Sequence, residues 1–167
     1  MPMNGNSAPL HYARVRLATP ADMAAIIDVV NAAFSIEKFL EGTRTDRERM
    51  TATMHDGEIL VMEDGSGRIV ASVYVEVKGE RGYFGMLAVD PAHQGKGLGR
   101  AMITAAENFC RRRGCKIMDI AVLSLRPELP PFYENLGYGV TGAEDFHPSR
   151  PFKSGVECHA ILMSKSL

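Results

Sequence analysis

The chain has 167 residues and a formal net charge of −1, the length of one domain that can bury a full core without disulfides or metals. That charge balance leaves no basic footprint for nucleic acid, and no apolar run approaches the roughly 20 residues of a membrane span, so neither is an expected partner. Cys110, Cys115 and Cys158 are odd in number and lack a Cys-x-x-Cys pair, which fits free thiols in a reducing compartment and makes the cytoplasm the expected location. Residues 1–9 carry neither a basic nor an apolar signal segment and read as a disordered leader before a single domain over 10–167.

Tyr12–Leu17 alternates as a first strand. Thr19-Pro20-Ala21-Asp22 then supplies an N-cap, a first-turn proline and an acid, and Met23, Ile26, Ile27, Val30 and Phe34 recur at helical spacing. A capping box at Thr45-Asp46-Arg47-Glu48 opens a second, more polar helix that stops at Asp56-Gly57. Around the break between these helices lies a basic cluster of Lys38, Arg44, Arg47 and Arg49. It reads as solvated helix charge, with a site for an anionic substrate group as the alternative.

Glu58–Glu63, Arg68–Val77 and Tyr83–Val89 form an antiparallel meander, the first pair joined by the tight turn Asp64-Gly65-Ser66-Gly67. In the second strand Val73, Val75 and Val77 share one face, which sends Ser72, Tyr74 and Glu76 to the other. The next stretch, Asp90-Pro91-Ala92-His93-Gln94-Gly95-Lys96-Gly97-Leu98-Gly99-Arg100, is a glycine-rich passage from strand to helix. Backbone N–H groups can converge there at the positive end of a helix, a cradle for phosphate, with Lys96 and Arg100 adding charge. The nucleotide-triphosphate loop would need Lys then Ser or Thr after its last glycine, and the dinucleotide fingerprint a glycine at position 100; the chain has neither.

Leu98, Ala101, Met102, Ala105, Ala106, Phe109 and Cys110 then make a helical stripe that ends in Arg111-Arg112-Arg113-Gly114, cations at the negative helix end. Lys116–Leu123 follows as a strand, so strand, loop, helix and strand make a right-handed crossover between parallel neighbours. Within Arg126–Tyr138 a short helix of about two turns is capped at Gly137, and Tyr138–Thr141 and Val156–Lys165 complete the sheet.

Gln94-x-x-Gly97-x-Gly99 after an apolar strand, followed downstream by Phe132-Tyr133-Glu134-Asn135-Leu136-Gly137-Tyr138, resembles the GNAT superfamily of acyl-CoA N-acyltransferases. The resemblance implies a single-domain α/β fold: a mixed, mostly antiparallel sheet of about six or seven strands flanked by about four helices, with the one crossover forming the CoA site. It further implies that the backbone of Leu87, Ala88 and Val89 holds the pantetheine arm and that Gln94, Gly95, Lys96, Gly97, Leu98, Gly99 and Arg100 bind pyrophosphate. Tyr133 would protonate the departing thiolate. Seven residues before that tyrosine the family often has asparagine; here Arg126 stands, expected to meet a cofactor phosphate or to position CoA differently.

These readings imply acetyl transfer from acetyl-CoA to an amine without a metal. Attack on a thioester needs a donor for the developing oxyanion, an acid for the thiolate and a base for the incoming ammonium. Glu76 is the candidate base, directly or through water, with a plain surface carboxylate as the alternative reading. A non-catalytic acyl-CoA-binding or sensing module is the competing function, since it would keep the loop without needing Tyr133. A homodimer is left open.

Overall fold

The computed structural model describes residues 15–148 and 150–167, so the expected leader and the Tyr12–Arg14 part of the first strand lie outside it. Seven strands form one sheet in the order β1-β2-β3-β4-β5-β7-β6. They are β1 (Val15–Leu17), β2 (Glu58–Glu63), β3 (Ile69–Lys78), β4 (Arg81–Val89), β5 (Ile117–Leu123), β6 (Gly139–Asp145) and β7 (His159–Ser166). Every neighbouring pair is antiparallel except β4 and β5, the pair joined by the crossover. The four α-helices are α1 (Met23–Phe34), α2 (Arg47–Asp56), α3 (Leu98–Arg112) and α4 (Leu129–Glu134).

Helices cover both faces, which explains why β2 is apolar almost throughout instead of alternating. Ile59 and Val61 pack with Ile26, Val30 and Met50 beneath α1 and α2. Leu60 and Met62 turn the other way, into the core of Val73, Val75, Met102, Phe109 and Met118 beneath α3. Val73, Val75 and Val77 do share that face, as the period of two requires.

Local chemistry differs from the sequence expectation at two helices. The N-cap of α2 is Asp46, whose carboxylate accepts from the Arg49 amide at 2.9 Å, and Thr45 is instead a buried residue whose backbone is held by Asn31. In α3 the stripe rotates slightly: Ala101 is exposed, while Ile103 and Glu107 are buried. Glu107 is tolerated inside because the Tyr138 hydroxyl donates to it at 3.0 Å and the Lys165 ammonium lies at 2.8 Å, so the buried charge is paired. Arg113, just past the end of α3, packs its guanidinium 3.5 Å from the centre of the Phe109 ring.

Candidate active site

The site begins with a fault in the sheet. β4 and β5 pair only at Arg81–Tyr83 with Ile117–Asp119, and beyond Tyr83 they splay apart while β5 stays bonded to β7 as far as Leu123. Against β3, β4 also carries an extra residue: Ser72 faces Ala88 and Tyr74 faces Gly85, so Met86 and Leu87 stand opposite Val73. Met86 takes φ 49°, the one non-glycine residue with positive φ among the described residues, a strained conformation that marks the bulge. Gly85 permits a further close approach, because a Cβ there would lie 2.6 Å from the Tyr83 hydroxyl oxygen. The result is a cleft of about 410 Å³ between Gly85–Leu87 and Ile120–Leu123. One edge of β4 enters it without a partner strand, ready to bond a ligand that carries its own amides.

At the C-terminal end of β4 lies the glycine loop. A short 3₁₀ turn, Pro91–His93, is fixed by the Asp90 carboxylate accepting from Ala92 at 2.9 Å. Gly95 and Gly97 both take φ 80°, and Gly97 is the N-cap of α3, with no side chain bonding the free amides of the first turn. A Cβ at Gly95 or Gly97 would meet nothing within 4 Å, so these glycines are required by backbone conformation and leave open space in front of the amides. Gly99 needs no such conformation; it lies within α3, also uncrowded. Leu98 anchors the loop in the core, Gln94 and Lys96 are exposed, and the Arg100 guanidinium lies 6.0 Å from the Phe132 ring centre. The Gln94 side chain donates to the Val89 carbonyl at 3.3 Å, tying loop to strand. Such an uncapped helix start with adjoining cations has the chemistry of a pyrophosphate cradle.

Tyr133 lies on the wall of the same cleft, 7 % exposed and wedged among Phe84, Phe132 and Tyr138 with ring centres 5.1–6.1 Å away. No described residue hydrogen-bonds its hydroxyl. Burial pushes its pKa up to about 12, against which the nearby Arg126 pulls it down, so it stays protonated through neutral and mildly alkaline pH. Arg126 also lines the cleft, but its guanidinium is engaged twice, by Glu37 at 3.0 Å and Glu128 at 2.6 Å. The short contact to Glu37 makes it a brace between the segment after β5 and the segment after α1.

Glu76 is not brought to the site. It is absent from the cleft lining, and Lys78 at 2.9 Å and the Tyr74 hydroxyl at 3.1 Å occupy its carboxylate. The hydrogen bond from Lys78 lowers its pKa, which makes it a weaker base still. Its position thus lends no support to the expected base, because side-chain alternation gives a face of the sheet but not a position along the cleft.

Several lining residues carried no site role from sequence: Phe34 and Tyr83, read only as parts of a helix and a strand, and Glu37 and Arg150. Glu37 and Arg150 are 4 % and 6 % exposed and paired at 3.3 Å. The only signal for this end of the cleft was the basic cluster, of which Arg44 alone reaches it.

A profile of the Acetyltransferase (GNAT) family matches residues 23–138. Mycothiol acetyltransferase of Propionibacterium freudenreichii subsp. shermanii is 30% identical over 139 residues, 78% of this chain and 44% of that protein. An acetyltransferase of Yersinia enterocolitica is 34% identical over 84 residues, 50% of this chain and 60% of its own length. The chain thus spans about half the length of these curated relatives. Among solved structures, the ribosomal-protein-S18-alanine N-acetyltransferase of Escherichia coli superposes with TM-score 0.73 at 17% identity, covering 92% of each chain. The yncA protein of Salmonella typhimurium, solved with its cofactor acetyl-CoA, gives 0.71 at 24% identity over 92% of this chain and 93% of its own; at such identities the likeness is one of fold. The family match runs from the start of α1 to Tyr138 and takes in the splayed strand pair, the glycine loop and the tyrosine helix, and the chain belongs to the Acetyltransferase (GNAT) family.

Proposed function

We propose that the protein transfers the acetyl group of acetyl-CoA to a primary amine by direct attack within a ternary complex. The observation that carries this reading is the splayed β4–β5 pair, with an uncapped helix start in the loop that follows β4 and an unpaired tyrosine hydroxyl on the cleft wall. The residues fit the cosubstrate: Gly95 and Gly97 leave open room before the first-turn amides of α3, and the lone edge of β4 offers hydrogen bonds to an amide-bearing arm. Gln94–Arg100 would hold the pyrophosphate, the backbone of Leu87, Ala88 and Val89 the pantetheine arm, and Arg126 would position these groups through its brace.

Bound there, acetyl-CoA supplies a thioester carbonyl and a thiol leaving group. A β4 amide freed by the Met86 bulge is positioned to donate to the oxygen as it becomes negative. The amine attacks as the neutral base, its nitrogen gives up one proton to solvent as the amide forms, and Tyr133 gives its proton to the departing sulfur and regains one from solvent. A phenol pushed up to about 12 is a weak acid toward water, but a thiolate released into the same low-dielectric cleft is raised by the same desolvation, which narrows the mismatch. Neither buried cysteine is placed to serve as acyl carrier: Cys110 and Cys115 are shielded from solvent, and burial drives the Cys110 thiol upward to about 12, away from the reactive thiolate. All three thiols are free, which supports the cytoplasmic setting that belongs to this proposal.

Intact-mass spectrometry after incubation with acetyl-CoA alone is the test. The expected spectrum shows no stoichiometric adduct, and initial rates with a productive amine give intersecting lines on double-reciprocal plots. An acetylated cysteine that passes its group to an amine, with parallel lines, would contradict the direct mechanism.

A further inference from the structure

The end of the cleft away from the glycine loop is built from two segments distant in sequence. Residues 35–44 follow α1, and residues 146–148 and 150–153 belong to the connection between β6 and β7. They are bonded to one another: Leu40 pairs with Phe152, the Glu41 amide donates to the Pro151 carbonyl at 2.9 Å, and the Lys153 amide to the Phe39 carbonyl at 3.0 Å. Together they form one wall.

That wall carries excess positive charge. Glu37 is the one carboxylate of the cleft lining, and it faces three arginines of the same lining: Arg44, Arg126 and Arg150. It is already divided between two of them, Arg126 at 3.0 Å and Arg150 at 3.3 Å. Arg126 has a second partner in Glu128, so its charge is met. Arg150 gives one terminal nitrogen to Glu37 and the other to the Gly42 carbonyl at 3.0 Å, and its buried Nε has no hydrogen-bond partner among the described residues. Arg44 is half-buried over the Phe34 ring at 5.3 Å and has no carboxylate within salt-bridge distance among the described residues. Two guanidinium groups drawn out of water with donors unspent are costly unless something anionic completes them. An orphaned buried donor is rare in folded proteins and calls for a specific cause.

We propose that Arg44 and Arg150 form a carboxylate-binding subsite at the acceptor end of the cleft, so that the amine acetylated is a small molecule bearing a carboxylate. Arg44 offers a planar fork suited to a carboxylate, and the Arg150 Nε offers a third donor. The bonded wall of 35–44 and 146–153 sets the carboxylate at that end and directs the amine of the same molecule back along the cleft toward the thioester. This rests on the acetyl-transfer reading for its chemistry, but the subsite itself is a binding claim that can be read without turnover.

Two measurements test it. The first is CoA release from acetyl-CoA with matched amines, each as free carboxylate and as carboxamide: glutamate, methionine, 4-aminobutyrate and 5-aminovalerate. The free acids should lead their amides by roughly 10- to 100-fold in kcat/KM, the scale of a charge-assisted hydrogen bond lost in a buried site. In Arg44→Gln that preference should collapse toward one through KM for the acid, with KM for acetyl-CoA unchanged. Amides that serve as well as acids, or an Arg44→Gln preference equal to that of the wild type, would overturn the proposal. The second follows arginine Nε–H signals by NMR as each of the four acids, or its carboxamide, is added to the CoA-saturated protein. Saturable shifts of the Arg44 and Arg150 signals with the acid alone support the subsite even if no amine is acetylated, in which case the catalytic reading fails and this one stands. Shifts at neither arginine with any of the four acids overturn it.

Discussion

Replacing Tyr133 by Phe should lower kcat by about 10²–10⁴-fold, the contribution of a positioned general acid, while leaving acetyl-CoA affinity nearly unchanged. The ring stays, and with it the packing against Phe84, Phe132 and Tyr138 that holds α4 on the sheet. Only the hydroxyl is lost, and no described residue depends on it for a hydrogen bond. The loss should fall on kcat because the sulfur needs its proton only as the carbon–sulfur bond breaks. Two controls separate this from general damage. An acetyl thioester whose thiol has a lower pKa should suffer less, since its thiolate leaves with less help. Because burial holds Tyr133 at about 12, the wild-type rate should show no basic limb from this residue in the neutral and mildly alkaline range. Full activity of the Phe variant with acetyl-CoA would reduce Tyr133 to a core aromatic.

Gly97→Asp should weaken acetyl-CoA binding by at least about 100-fold, or roughly 3 kcal/mol and more. Gly97 takes φ 80° as the N-cap of α3, a conformation that costs an L-residue roughly 1–2 kcal/mol. Its carboxylate would also occupy the open space in front of the first-turn amides, repel phosphate and take the free N–H groups for itself. Gly97→Ala isolates the conformational part and should cost much less affinity. Calorimetric titration of the folded variants distinguishes the two, and equal affinity of Gly97→Asp and wild type would remove the loop from the binding site.

Much of this site was legible because its elements are local. The Gly95–Gly97 positive-φ pair, the helix that starts at Leu98 and the short helix carrying Tyr133 each depend on residues within a few positions of one another. β2 has the expected bounds Glu58–Glu63 because turn residues flank a run of four buried apolar side chains. What was hidden depends on register and on distant segments. Nothing in Gly85-Met86-Leu87 announces a bulge; it arises because β3 and β4 must stay paired on both sides of a strand that is leaving β5. The Glu37, Arg126 and Arg150 cluster joins residues 89 and 113 positions apart, a distance over which no local pattern speaks. Glu76 shows the converse: the side of the sheet was legible, but not that Lys78, two residues on, pairs with its carboxylate.

The central claim is that acetyl-CoA lies along the unpaired edge of β4 with its phosphates at the start of α3. Hydrogen exchange of the backbone amides, compared with and without acetyl-CoA, reads that placement directly. Exchange should slow in two separate segments, Gly85–Val89 and Gly95–Arg100, and remain unchanged in β1 and β2 at the far side of the sheet. Saturating acetyl-CoA with no slowing in either segment, or with slowing confined to residues 35–44 and 146–153, would contradict the account.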